Sequence, residues 1–159
     1  MRRWAVALVL LASPAMAART SLGTFDGWGA FRDDNPVRCY AIAQPVRGGS
    51  GKWRPFASVA TWPGQRVRGQ VHIRLGREKL ASAPVTLTIG NRRFQMVAGG
   101  ADVWAPDPRI DAAIVAMMRS APSMSVETRA STGAGFAESY ALKGAATAMD
   151  AAALGCARG

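Results

Sequence analysis

The segment from Arg66 to Leu75 alternates polar and apolar residues, and that alternation limits what the chain can fold into more than any other feature. Val67, Val71, Ile73 and Leu75 fall on one face, while Arg66, Arg68, His72 and Arg74 fall on the other. A period of two belongs to an extended strand with one side on a core and one in water; at helical spacing the same residues would scatter around the axis. A half-buried strand is not stable alone, so the rest of the chain must supply a sheet.

Candidate partners lie on both sides. Val85, Leu87 and Ile89 alternate with Thr86 and Thr88, and Gly90-Asn91 suits a two-residue hairpin turn that opens on glycine. The chain returns through residues 92–97, with Phe94 and Met96 on one face and Arg93 and Gln95 on the other. Residues 38–44 and 56–62, bounded by proline and glycine, read as strands, as do 124–129 and 136–142 around a turn-prone stretch at 131–135. The glycine-rich stretch 47–52 reads as a mobile loop, and Gly99-Gly100 with Asp102 as a turn.

Two segments have helical character. Asp107 can cap free backbone N–H groups, and Pro108 fits the first helical position, where no N–H is needed. Ile110, Ala113, Ile114, Met117 and Met118 then form one apolar stripe, with the methionines as core filler, until Pro122 prevents continuation. A short alanine-rich helix follows near 145–155, with Ala145, Met149, Ala152 and Cys156 along one side. The expected fold is mainly β: an antiparallel, sandwich-like domain with two short helices, near 107–119 and 145–155.

Residues 1–17 have the three parts of an export signal. Arg2-Arg3 is a positive start, Trp4 to Ala12 an apolar run, and Ala15-Met16-Ala17 a small-x-small site that predicts cleavage before Ala18. The run is shorter than the roughly 20 apolar residues a membrane helix needs, so no transmembrane span is expected in the mature protein. Its 142 residues, at 18–159, suit one domain and carry a formal net charge of +8, against +10 for all 159. The expected location is periplasmic, secreted or otherwise associated with the cell envelope. A basic exported protein meets anionic envelope components or acidic proteins rather than nucleic acid.

Cys39 and Cys156 are the chain's two cysteines. In an oxidising compartment an isolated pair is most simply one disulfide. Two buried free thiols are the alternative, and a metal site lacks ligands, because His72 is the one histidine.

Catalytic patterns are scarce. The chain has no G-x-S-x-G elbow, phosphate-cradling loop or H-E-x-x-H, and no residue set implies a cofactor or a metal. Asp33-Asp34 could serve as a carboxylate pair in a small envelope enzyme acting on glycans, but neighbours in sequence point apart, and a solvated turn explains them better. Trp28, Trp53, Trp62 and Trp104 are spread along the chain and suit a core rather than a sugar platform. The clearest pointer to a partner is the basic face of Arg66, Arg68, His72 and Arg74, with Arg93 nearby, which would dock an anionic envelope component or protein. An inhibitor or chaperone-like subunit would use the same face on an acidic partner; the plain alternative is a solvated strand face.

Several stretches taken together resemble the invasion-associated locus B family of exported bacterial proteins. They are the opening Phe25-Asp26-Gly27-Trp28, the Cys39 strand from Arg38 to Gln44, the central strand pair, the helix from Asp107 to Met118 and the closing Tyr140-Ala141-Leu142-Lys143-Gly144. The resemblance implies a β-rich envelope protein, named for a link to host-cell invasion, with structural roles for Trp28 and Cys39 and no catalytic residues. Members commonly carry a cysteine soon after the first tryptophan; residues 29–32 here have none, so Cys156 would take the partner role.

Overall fold

Turn-forming residues divide residues 18–157, the part that the computed structural model describes, into ten strands and two helices. The expected leader at 1–17 lies outside the described residues. The strands are β1 (Arg19–Phe25), β2 (Trp28–Asp34), β3 (Val37–Ala43), β4 (Phe56–Trp62), β5 (Val67–Arg74), β6 (Val85–Ile89), β7 (Arg92–Gly99), β8 (Asp102–Trp104), β9 (Ser123–Arg129) and β10 (Gly135–Ala141). Helix α1 (Pro108–Met118) lies between β8 and β9, and α2 (Ala145–Ala157) follows β10. Every pairing is antiparallel, in the order β1-β2-β3-β4-β5-β8-β7-β6-β9-β10. The mainly-β, sandwich-like architecture with two helices is as expected. Among the described residues no helix is long and apolar enough to cross a membrane.

The sheet coils until its ends meet. Trp28 on β2 is fully buried, and its indole Nε1 donates to the carbonyl of Ala141 on β10 at 2.8 Å. The segment after β3 covers the open edge of β10: Val46 N donates to Ser139 O at 2.7 Å, and Ser139 N to Arg47 O at 3.0 Å. Inner-face residues such as Cys39, Ile73, Leu87, Val103 and Tyr140 form one core with Trp28. Each large apolar side chain taken from water there contributes about 1.5–3 kcal/mol.

Both helices begin where the sequence places them. The Asp107 carboxylate accepts from Arg109 N at 2.8 Å and Ile110 N at 3.0 Å, and Ile114 and Met118 reach the core. Helix α2 runs slightly beyond its expected end and packs against β1, β2 and β3.

Two expectations are corrected here, and a third, the turn at Asp33-Asp34, gives way to the end of β2, where the two aspartates pair with Arg38 and Val37 of β3 and the turn is Asn35-Pro36. The stretch 47–52 is not a free loop: Gly48, at φ +77°, lies against Ala137 O, Gly51 against Gly76 O, and Arg77 Nη2 donates to Ser50 O at 2.6 Å. Its glycines permit close backbone approach. The second correction concerns β5. Val71 pairs with Val59 and Gln70 with Ala60, but the next pair is Val67 with Trp62, so Arg68 and Gly69 together oppose Thr61. Gly69, at φ +67°, supplies the left-handed conformation of this bulge. One extra residue reverses the side-chain parity. Val67 therefore shares a face with His72 and Arg74, whereas Arg68 joins the other side. The four basic residues do not form one face.

Candidate functional site

The bulge places two arginines over a cleft. Pro63–Gln65 forms a 3-10 turn closed by Arg66, whose N–H donates to Pro63 O at 3.1 Å while its backbone sits in the left-handed region at φ 55°. That conformation costs a non-glycine residue about 1–2 kcal/mol and is here fixed by the turn. Arg66 and Arg68 both border a cavity of about 780 Å³ between the sheet and the helices. Its floor is apolar, with Val59 of β4 and the Cys39–Cys156 disulfide. Val115 of α1 and Met149 and Ala152 of α2 form its walls.

The cleft is held by contacts that fix both helices. The two sulfurs of Cys39 and Cys156 are 2.08 Å apart with Cα atoms 5.8 Å apart, which ties α2 to β3 as the sequence suggests. Beyond the end of β8, the Val71 amide donates to Asp111 Oδ1 at 2.8 Å and so anchors α1 on β5. Burial raises the Asp111 carboxyl above its ordinary range; the Val71 N–H lowers it in part, and neighbouring Asp107 raises it further. Arg119, at the C-terminal cap of α1, bonds Asp150 of α2 at 2.8 Å beside the cleft.

Arg66 and Arg68 are exposed, and among the described residues neither guanidinium has a hydrogen bond or an acidic partner. The remaining basic candidates are elsewhere. His72 Nε2 lies 2.8 Å from Asp102 Oδ1, which also accepts from Arg74 Nε at 2.7 Å. The His72 ring stacks on Trp104 at 5.2 Å and meets Phe56 edge-on at 5.2 Å. His72 and Arg74 thus share an acid and an aromatic setting on the outer face, and are not open to an anion in the way the alternation suggests. Arg93 is exposed on β7, two strands from β5.

The aspartate pair is tied to arginines. Asp33 bonds Arg19 Nε at 2.9 Å and Arg38 Nη2 at 2.8 Å, while Asp34 bonds Arg32 Nε at 2.8 Å. Burial raises the Asp33 carboxyl, but the Arg19 and Arg38 bonds outweigh it and leave it below the ordinary carboxylate range. A general acid needs the opposite shift. The tryptophans stay dispersed: Trp28 is core, Arg38 lies over the Trp62 ring at 5.0 Å, and Trp104 serves His72. Among the described residues no group of three or more histidine, cysteine, aspartate or glutamate side chains is placed to hold a metal ion.

Nothing in the sequence brings the walls of the cleft together. Its one local signal was Gly69 inside an alternating run, because an isolated glycine in a strand marks a bulge and so a change of parity.

No protein-family model matches the chain, and no curated protein does. Among solved structures, the chain is similar to the crystal structure of invasion-associated protein B from Bartonella henselae. The TM-score is 0.61 at 18% identity, over 86% of this chain and 99% of the other. The chain has the fold of that protein, which is the fold that the resemblance in its sequence implies.

Proposed function

We propose that this chain, sharing the fold of invasion-associated protein B, is a divergent member of the invasion-associated locus B family that is exported and works by binding rather than catalysis. Export follows from the leader at residues 1–17, with the single domain 18–159 left in the periplasm or at the surface of the envelope. The disulfide is in keeping with an oxidising compartment. The partner is an anionic envelope component or protein.

One observation carries the binding reading: Arg66 and Arg68 stand exposed and unpartnered, among the described residues, at the mouth of an open cleft. Two like charges held close cost stability unless water or an anion accompanies them. His72 and Arg74 take no part, since Asp102 already satisfies them.

Retention on purified anionic envelope fractions across a salt series tests the proposal. Wild type should be retained at low and physiological salt and released as higher salt shortens the Debye length below the ~8 Å it has at physiological ionic strength. Arg66→Ala/Arg68→Ala should lose most retention, while Arg74→Ala should keep it. Undiminished retention of the double variant would defeat the reading.

A further inference from the structure

The same cleft says more about the ligand than its charge. Below the arginines the lining turns apolar, and Leu154, one of three large hydrophobic side chains exposed among the described residues, stands on its rim at 58% exposure. An exposed leucine beside an apolar cavity is surface that gains by being covered. At about 780 Å³ the cavity lies in the range of small-molecule sites, which are mostly apolar with a few polar groups that fix orientation.

We infer that the cleft binds an anionic amphiphile, with one acyl or alkyl chain against Val67, Val115 and Leu154 and its charged head at Arg66 and Arg68. This rests on the anionic-docking reading above and narrows the partner to a lipid-like molecule. The two regions of the cleft match the two ends of such a ligand. A polymer or an acidic protein would satisfy the arginines and leave the apolar rim at Leu154, Val67 and Val115 uncovered. A neutral lipid would cover that rim and leave the arginines without a counter-charge. The salt link from Arg119 to Asp150 spans α1 and α2 beside the cavity, so a third arginine is near but already engaged.

Titration calorimetry on the disulfide-bonded mature chain tests this with dodecyl phosphate, octyl phosphate, inorganic phosphate and dodecyl maltoside, each below its micelle concentration. Dodecyl phosphate should bind, and affinity should fall by about fourfold for each methylene removed from the chain, the factor set by burying a methylene. Inorganic phosphate and dodecyl maltoside should each bind at least about tenfold more weakly than dodecyl phosphate, each lacking one half of the recognition. Ala153→Trp, at an exposed cleft position on α2, should block the chain and reduce dodecyl phosphate affinity at least as far. Arg66→Ala/Arg68→Ala should abolish the preference for phosphate over maltoside.

Equal binding of dodecyl and inorganic phosphate, or unchanged affinity in Ala153→Trp, would overturn the inference. If Ala153→Trp still binds envelope fractions through its arginines, simple anion docking survives and the amphiphile does not. If self-association of the wild type is abolished by Ala153→Trp, the cleft belongs to a second copy of the chain, and the inference fails.

Discussion

Glu138 is a carboxyl in the core of a basic protein, 1% exposed on β10. Its Oε1 accepts from Gly76 N at 2.8 Å, whereas Oε2, like the nearby Tyr140 hydroxyl, has no partner among the described residues. Burial pushes the Glu138 pKa up; the Gly76 N–H and the charge of Arg77 pull it down without cancelling the burial. Burial, and then the Glu138 charge, push the Tyr140 hydroxyl up as well. The native state therefore keeps the Glu138 proton at pH values where the unfolded chain has released it. Stability falls as pH rises from the ordinary glutamate range through the raised value, because there the folded state binds more protons. Glu138→Gln removes this titration, so its melting temperature relative to wild type should climb from acidic to neutral pH. Parallel melting curves for the two proteins across that range would contradict the account. The alternation of residues 136–142 marks a strand and puts Glu138 on the face of Phe136, Tyr140 and Leu142, but its near-complete burial depends on the segment after β3 closing over β10, which no local signal gives.

Local signals carried the elements that local chemistry controls. Asp107 and Pro108 start α1 where a cap and a proline should, and Asp107→Ala should cost about 1 kcal/mol, within ~0.5–2, in denaturant unfolding. A loss indistinguishable from zero would mean that Asp111 and the tertiary contacts hold the helix without its cap. The strands β3, β4, β6, β7, β9 and β10 are legible for the same reason, each a short alternating or β-branched run between turn-formers. The strands that escaped reading lack such a pattern. β1 is a largely exposed edge strand without a buried stripe, β2 buries only Trp28 and Ala30 before running out into charged residues, and β8 is a three-residue strand whose extension comes from pairing with β5 and β7. The basic stripe failed within a correctly read strand. Gly69 inserts one residue, and the arginines on either side of it go to different surfaces. Strand parity is a non-local property once a bulge intervenes, so composition could suggest an anionic partner without locating the face that meets it.

At the scale of the molecule the single crosslink closes a long loop, Cys39 to Cys156 at a sequence separation of 117. In the chain-entropy account a loop of that length stabilises the fold by about 4–5 kcal/mol, chiefly by limiting the unfolded chain. Cys39→Ala/Cys156→Ala should lose most of that in equilibrium unfolding; a loss below about 1 kcal/mol would show that packing of α2 on β1, β2 and β3 suffices. The antiparallel sandwich and its family likeness were readable because strand patterning runs through the whole chain. The cleft was not, because its walls come from β3, β4, β5, α1 and α2, which only the tertiary fold brings together. The crosslink also changes the connectivity of the protein from a line to a ring. A protease that cuts one exposed peptide bond inside that ring, as at Ala81-Ser82, opens the circle without dividing the molecule in two. Both sides of the cut remain tethered and at high effective concentration for one another.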